Sequence, residues 1–329
     1  MPRFIRTNNT IFFVLAMLIL VAGAIFWQQG LTIDPPMYFS GLGQSLSTDP
    51  AQYTYHARNA QLFGDPTPFD YARWTVYEHS LTSYIAHAWF SLFGVDTRQS
   101  NMVGLILALA GAFFFALGLL RQHRAWTSAA VVFVFIISVT LYTYGRLSYL
   151  ENGLLLITGM LFWVYSWWGE RLWGIILSGL LVAVAMLMGK LFGALLLPGL
   201  LAAILLGQSP NRIRHMLVAG GAFVIALLLL AFALYGTNLT AAFGYVGEQS
   251  YGLRGFPDGL SSPWGFVQHL ISYGFLNRLF YLNPDVFAML FASLVLLTLL
   301  PRGVRSVTEL TRSNRLALFA SAFIFLGLM

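Results

Sequence analysis

This chain of 329 residues has no cysteine, and only 9% of its residues are charged. Without cysteine it can form no disulfide, no thiol nucleophile and no cysteine-ligated zinc site. A soluble domain usually carries about 25% charged residues, so the scarcity of charge excludes an ordinary soluble domain. Because 58% of the residues are hydrophobic and the mean hydropathy is +0.73, we predict an integral membrane protein.

The net charge of +6 does not indicate a nucleic-acid-binding protein. The basic residues are scattered between hydrophobic segments, whereas a nucleic-acid-binding surface gathers them on one soluble face. Their placement instead indicates how the chain crosses the membrane.

The sequence predicts an all-α, polytopic bundle of transmembrane helices with about nine spans, since each span needs about 20 apolar residues. Residues 172–207 contain a single charge, Lys190. One helix of that length would be about 54 Å long, against a hydrocarbon core of about 30 Å, so we predict two spans that turn at Gly189 and Lys190. The predicted spans are 10–28, 101–120, 126–144, 152–168, 172–188, 191–207, 216–235, 284–300 and a segment that starts at 316.

Charge distribution orients these spans with the N-terminus in the cytoplasm. Only two of the 12 acids, Glu170 and Glu309, then share the cytoplasmic side with 11 of the 18 basic residues. This agrees with the excess of Lys and Arg in cytoplasmic loops. A cleaved signal peptide is an alternative for the first segment, and it leaves the other spans in the same orientation. The 11 cytoplasmic basic residues are Arg3, Arg6, Arg121, Arg124, Arg171, Arg212, Arg214, Arg302, Arg305, Arg312 and Arg315.

Two long loops, 29–100 and 236–283, lie outside the cell in this orientation, in a membrane domain that covers residues 1–329. Long loops usually carry function, so the functional face is expected to be extracytoplasmic. The apolar stretch 80–94 is too short to span and is predicted to form a helix in the membrane interface. The final segment stops at Met329 partway through a span, so we expect a truncated chain or a fragment of a longer protein.

The stretch STDPAQYTYHARN, residues 47–59, concentrates polar groups close to the first predicted span. Asp49 followed by Pro50 is typical of a helix start, with the aspartate as N-cap. On a helix that starts there, Asp49, Tyr53 and His56 share one face because they are spaced by three and four residues. Asp49 therefore has a structural explanation, the capping of a surface helix, as an alternative to a catalytic role.

Four motifs, in this order, resemble the GT-C glycosyltransferases, in the branch of the protein O-mannosyltransferases and the lipid A aminoarabinose transferase. They cover about residues 10–205, and each lies at a predicted outer end of a span. The resemblance implies a GT-C fold and an inverting enzyme that transfers a sugar from a polyprenyl-phosphate donor to a protein, lipid or glycan acceptor on the extracytoplasmic face. The motifs are DPAQYTYHARNAQLFGDP, YEHSLTSYIAHAWFSLFGVDTRQSN, YGRLSYLENGLLL and GKLFGALLLPGLL.

The chain departs from the family pattern in three places. The family often has a second acid after the loop aspartate, where this chain has Pro50. Glu151 stands where aspartate is commoner, and the turn reads Glu78-His79-Ser80 instead of Glu-Lys-Pro. These changes leave the identity of the sugar open.

The resemblance assigns Asp49 as the general base that takes the proton of the acceptor hydroxyl, and Glu151 as a second acid of the site. Cations stabilise the negative charge that develops on the departing phosphate. Arg58, Arg146 and Lys190 are the candidates for binding the donor phosphate.

Each of these residues also has a structural explanation. Lys190 is the only lysine in the chain, and its ammonium can extend to the lipid headgroups from an outer turn. Arg146 can anchor the interface, with Glu151 beside it marking the end of a span. Arg58 can pair with Asp65 or Asp70 on the surface.

A divalent metal ion is predicted to bind Glu78 and His269, with His56 and His79 as other candidate ligands. Hard divalent ions prefer carboxylates, and zinc accepts histidine. The alternative is that these histidines are polar residues at a wet interface.

Two other functional classes fit the composition. A transporter or lipid flippase places ionisable groups near the midplane of its spans, and apart from Lys190 these spans contain almost none. An inactive GT-C-like scaffold is the other class. In the glycosyltransferase interpretation the protein lies in the cytoplasmic membrane of a bacterium or archaeon, and its partners are the lipid-linked donor and an unidentified acceptor.

Overall fold

The computed structural model describes residues 7–32, 53–66, 80–122, 125–188, 193, 196–205 and 209–236. Each long regular element in these ranges is an α-helix, as the sequence predicts. In chain order the helices are α1 (Thr7–Gln28), α2 (Tyr55–Phe63), α3 (Leu81–Phe93), α4 (Thr97–Gln122), α5 (Ala125–Ile137), α6 (Val139–Gly145), α7 (Leu150–Trp168), α8 (Leu172–Leu187), α9 (Leu196–Leu205) and α10 (Arg212–Tyr235).

Three of the described helices are long and apolar enough to cross a membrane. These segments are Thr10–Gln28 in α1, Thr97–Leu120 in α4 and Arg212–Tyr235 in α10. Helices α5, α8 and α9 contain shorter apolar segments. The total of about nine spans stays a prediction, and the predicted spans at 284–300 and from 316 onward lie outside the described residues.

The predicted span 126–144 is not one continuous helix, because the structure divides it into α5 and α6. Ser138 lies between them in an extended conformation, with φ −63° and ψ 122°. Its hydroxyl accepts a hydrogen bond from the backbone N–H of Leu141 at 3.2 Å. Ser138 is therefore the N-cap of a new helix inside an uninterrupted apolar stretch.

The first predicted outer loop contains two helices in its described part. Helix α3 matches the expected interfacial helix, and the Ser80 hydroxyl caps it by accepting from the N–H of Ser83 at 3.1 Å. Helix α2 begins at Tyr55 after Thr54. Asp49 and Pro50, the predicted helix start, lie outside the described residues.

Among the described helices, α4 and α7 make the most extensive contact, and they run in the same direction. Gly104, Gly111 and Gly118 of α4 face Leu147, Leu155 and Phe162 in turn. A Cβ on Gly111 would lie 2.8 Å from the Leu155 carbonyl oxygen, and one on Gly104 would collide with the Leu147 carbonyl. Small residues at this spacing let helix backbones approach, which is a common way for helices to associate in membranes.

Relative helix directions agree with the predicted alternation. One predicted span, 126–144, lies between those of α4 and α7, so the alternation requires α4 and α7 to be parallel, as they are. Near the far ends of these two helices, the Ser128 hydroxyl of α5 donates to Ala116 O at 3.0 Å, and Trp167 Nε1 of α7 donates to Leu117 O at 3.0 Å. These two hydrogen bonds mark the end of the bundle opposite to Gly104 and Leu147.

Candidate functional site

One end of the bundle collects polar side chains from segments that are far apart in the sequence. We call it the polar end. It consists of residues 30–31 after α1, helix α2, the starts of α3, α4 and α7, the connection 146–149, and the ends of α8 and α10.

A cluster of aromatic and apolar side chains lies at the polar end. Tyr53, Tyr149, Leu147, Leu150 and Tyr235 form one buried cluster. The rings of Tyr53 and Tyr149 meet edge to face, with centroids 6.2 Å apart. Tyr53 belongs to the first predicted loop, four residues after Asp49, and Tyr235 is the residue before the second predicted loop. The cluster therefore joins a residue of the first loop to the residue at which the second loop begins.

Arg146 is buried at the polar end, with only 4% of its surface exposed. Its Nη1 donates a hydrogen bond to Gly30 O, just after the last turn of α1. Its Cζ lies 5.2 Å from the centroid of the Tyr142 ring. A cation at a helix C-terminus is favourable because the terminal carbonyls carry partial negative charge. Arg146 thus stabilises the end of α1 and places a fixed positive charge there.

Glu151 is half-buried in the first turn of α7, where a carboxylate is favoured by the partial positive charge of the helix N-terminus. The next residue, Asn152, fixes the chain between Arg146 and Glu151. Its Nδ2 donates to Leu147 O at 2.7 Å and to Tyr144 O at 3.1 Å. Sequence analysis missed Asn152, although its place at the start of an apolar span, next to a motif acid, was a usable signal.

Arg58 is half-buried on α2, and its recorded contacts lie within its own helix. Its Nη2 donates to Asn59 Oδ1 at 3.4 Å, and its Cζ lies 5.0 Å from the centroid of the Tyr55 ring. Of its two predicted surface partners, Asp65 is described and Asp70 lies outside the described residues. Its role in binding a donor phosphate stays a prediction.

His56 is 2% exposed and holds the chain that follows α2. Its Nδ1 donates to Pro66 O at 3.3 Å, and Asn59 Nδ2 donates to the same carbonyl at 3.4 Å. Since a carbonyl only accepts, Nδ1 carries the proton in this contact. This hydrogen bond gives His56 a structural role, in addition to its predicted role as a candidate metal ligand.

Three helices meet where α3 and α7 begin and α8 ends. The Thr82 hydroxyl donates to Met188 O at 2.6 Å. A Cβ on Gly153 would lie 3.4 Å from both the Thr82 hydroxyl and Met188 Cβ. We call this contact of Thr82, Met188 and Gly153 the three-helix junction.

Two further site candidates, Glu78 and Lys190, lie outside the described residues. In the sequence, Glu78 precedes the cap residue Ser80 by two residues, and Lys190 follows Met188 by two. Glu151, on α7, precedes Gly153 of the junction by two residues.

A chain of hydrogen bonds connects α2, α4, the connection 146–149 and the end of α1. The Thr54 and Ser100 hydroxyl oxygens are 2.9 Å apart, and those of Ser100 and Ser148 are 3.1 Å apart. The Ser148 hydroxyl donates to Asn101 Oδ1 at 3.4 Å, and Asn101 Nδ2 donates to Leu31 O at 2.7 Å. We call these residues the hydroxyl chain. Sequence analysis missed all of them, because partners so far apart in the sequence leave no local pattern.

The described residues contain no group of three or more His, Asp or Glu side chains arranged to hold a metal ion. The predicted ligands Glu78 and His269, and the alternative His79, lie outside the described residues, as does the predicted base Asp49. The metal site and the catalytic base therefore stay predictions.

Comparison with known proteins finds no matching family model and no matching curated protein. Among solved structures, the chain is similar to the crystal structure of ArnT from Cupriavidus metallidurans in the apo state, with 13% sequence identity and a TM-score of 0.49. The match covers 94% of this chain and 58% of that one, so the chain spans less than two thirds of the length of that protein.

Proposed function

We propose that this protein is a membrane glycosyltransferase that transfers a sugar from a polyprenyl-phosphate donor to a hydroxyl group of its acceptor. One observation supports the proposal: the described segments of, or next to, the four motifs meet at the polar end of the bundle. In the sequence, helix α2 follows the loop aspartate, α3 is the predicted interfacial helix, residues 146–151 bear the Arg and the acid, and α8 precedes the lysine. Described segments more than a hundred residues apart in the sequence need not meet, so their meeting favours a shared site.

The proposed reaction is a single displacement at the anomeric carbon. The acceptor oxygen forms a bond to that carbon while the bond to the phosphate oxygen breaks, so the configuration inverts. The acceptor proton passes to the carboxylate of Asp49, and the electron pair of the broken bond leaves on the lipid phosphate. Since the phosphate is a good leaving group, the site needs no strong general acid.

Positive charge at the polar end supports this chemistry. The departing phosphate gains negative charge in the transition state, and fixed cations stabilise it. Arg146 is held in place by Gly30 O and the Tyr142 ring. Lys190 and Arg58 are the other proposed phosphate contacts, and Glu151 is the proposed second acid. In a buried or half-buried setting such charges act more strongly than in water.

The location also suits a donor that is anchored in lipid. The reacting carbon of such a donor lies just above the hydrocarbon core, so the catalytic groups belong at the end of a span. The tyrosine cluster of Tyr53, Tyr149 and Tyr235 is of the kind enriched at membrane interfaces. A divalent ion at Glu78 and His269 stays part of the proposal, and no step above passes through it.

A release assay tests the proposal without knowledge of the acceptor. The purified protein in liposomes is given undecaprenyl-phosphate mannose or undecaprenyl-phosphate aminoarabinose, with a cell-envelope extract as the source of acceptors. Mass spectrometry then measures undecaprenyl phosphate, the product common to every sugar. We expect release that requires both protein and extract. A protein that moves the lipid-linked sugar across the bilayer without consuming it is a flippase, and one that does neither is a scaffold.

A further inference from the structure

The hydroxyl chain is continuous from the start of α2 to the end of α1. Thr54 is hydrogen-bonded to Ser100 and Ser100 to Ser148, and either hydroxyl of each pair can be the donor. Ser148 also contacts Asn101 Oδ1 at 3.4 Å, and Asn101 Nδ2 donates to Leu31 O.

The hydroxyl chain ends at a side-chain amide and a backbone carbonyl, and neither of these groups takes a proton near neutral pH. Thr54 and Ser148 are 3% and 1% exposed, so their hydroxyls are buried in an apolar bundle where unmet hydrogen bonds are costly. Such a chain of hydrogen bonds holds the segments that it joins at fixed positions relative to one another.

The hydroxyl chain links the two segments that bear the proposed catalytic groups. Thr54 follows Asp49 by five residues, and Ser148 lies between Arg146 and Glu151. Ser100, at the start of α4, bonds to both, and it has no place in the proposed chemistry.

We propose that Thr54 and Ser100 are positioning residues, which hold the start of α2, five residues after the proposed base in the sequence, against the 146–151 segment through their hydroxyl groups. The proposal rests on the proposed transferase function. A catalytic group displaced by about 1 Å can cost about 100-fold in rate, so loss of one hydroxyl affects turnover far more than folding.

Thr54 offers a matched pair of variants. Thr54→Val has the same shape without the hydroxyl, and Thr54→Ser keeps the hydroxyl without the methyl. With the donor that the wild type consumes, we expect Thr54→Val to lower kcat by about 10- to 100-fold and leave KM for the donor unchanged. Thr54→Ser and Ser100→Thr are expected to retain kcat, and Ser100→Ala to behave as Thr54→Val does.

Ser128→Ala controls for the loss of a buried hydroxyl. Ser128 is 0% exposed, and its hydroxyl also joins two helices, by donating from α5 to Ala116 O of α4. It lies at the opposite end of the bundle from the hydroxyl chain. We expect Ser128→Ala to lower the thermal midpoint about as much as Ser100→Ala does, while its kcat stays at the wild-type value.

Because the chain has no cysteine, a disulfide tests the geometry independently of the sugar. The Thr54 and Ser100 hydroxyl oxygens are 2.9 Å apart, so cysteine sulfurs at the same two positions are expected to come into contact. The Thr54→Cys/Ser100→Cys protein should lose both free thiols on mild oxidation, counted after denaturation with a maleimide–polyethylene glycol reagent. Thr54→Cys/Ser128→Cys should keep both. Oxidation of the first pair should restore the kcat that its reduced form has lost.

The possible outcomes separate the two proposals. If the wild type releases undecaprenyl phosphate but Thr54→Val and Ser100→Ala match its kcat, the positioning role is wrong and the transferase function stands. If the 54–100 pair does not form a disulfide, the positioning role is wrong whatever the activity. If the wild type consumes neither donor, the transferase function is wrong and the positioning role is overturned with it.

Discussion

Arg146 has two tasks that different substitutions separate. Its Nη1 donates to Gly30 O, and its charge lies at the polar end where the phosphate is proposed to bind. A Cβ on Gly30 would lie 3.2 Å from Arg146 Cδ and 2.5 Å from the Tyr142 hydroxyl, so a larger residue there would crowd both side chains. Glutamine can keep a hydrogen bond to the carbonyl without the charge, whereas alanine loses both.

We expect Arg146→Ala to destabilise the protein by about 1–3 kcal/mol, because it leaves the Gly30 carbonyl without this donor. Arg146→Gln should be less destabilised, yet bind undecaprenyl phosphate at least about tenfold more weakly, which corresponds to about 1.4 kcal/mol. Arg98→Gln is the matched control, since Arg98 is exposed at the start of α4. Intrinsic tryptophan fluorescence on titration with undecaprenyl phosphate measures the affinity. Equal affinities for Arg146→Gln and Arg98→Gln would show that Arg146 is purely structural.

The pairing of α4 with α7 depends on backbone contact at three glycines spaced by seven residues. A side chain at Gly111 would meet the Leu155 carbonyl at 2.8 Å, and Gly159 of α7 packs directly against Gly111. Helix α10 provides the contrast, since nothing lies within 4 Å of a Cβ placed on Gly220. The same substitution therefore has opposite consequences in two helices of one protein.

Gly111→Ala should lower stability by about 1–3 kcal/mol, because the added methyl group forces the helices apart. Gly220→Ala should be neutral or stabilising by up to about 1 kcal/mol, since alanine favours a helix more than glycine does. The thermal midpoint of each variant in detergent, measured by circular dichroism, provides the comparison. A Gly111→Ala protein as stable as Gly220→Ala would mean that α4 and α7 do not touch as described.

The sequence predicts a structural element well when neighbouring residues determine it, and poorly when distant residues do. Hydropathy is local, so spans such as 152–168 and 172–188 match α7 and α8 closely. The helix break at Ser138 lies inside an apolar stretch, so hydropathy gives no sign of it. The feature that marks it is the capping hydrogen bond of the Ser138 hydroxyl. The hydroxyl chain joins residues 46 and 48 positions apart, a relation that no local pattern contains. Polar residues at span ends, such as Asn101 and Asn152, were the available signal.

The molecule as a whole is predicted to lie with the polar end outside the cell. Relative helix directions support the alternation of the spans, and the orientation in the membrane stays a prediction from the charge distribution. Absence of cysteine makes each introduced cysteine the only thiol. A cysteine can show which side of the membrane it faces only if the reagent reaches it. Gln61 and Glu170 are exposed and suit this labelling, whereas a position such as Leu150, at 0% exposure, does not.

A membrane-impermeant maleimide should label Gln61→Cys in intact cells, and Glu170→Cys only after the cells are opened. Gln61 belongs to α2 at the polar end, and Glu170 lies between α7 and α8 at the opposite end. Labelling in the reverse order would place the polar end in the cytoplasm. Labelling of both in intact cells would show that the bundle does not alternate as proposed.

Neutralising the proposed base is the most direct test of the central claim, that a carboxylate at the polar end drives sugar transfer. Asp96→Asn is the matched control, because Asp96 is an exposed acid of the same predicted loop and asparagine can still accept the bond from the Gln99 N–H. In the release assay we expect Asp49→Asn to lower kcat by at least about 100-fold and Asp96→Asn to retain the wild-type rate. Undecaprenyl phosphate released by Asp49→Asn at the wild-type rate would contradict the account.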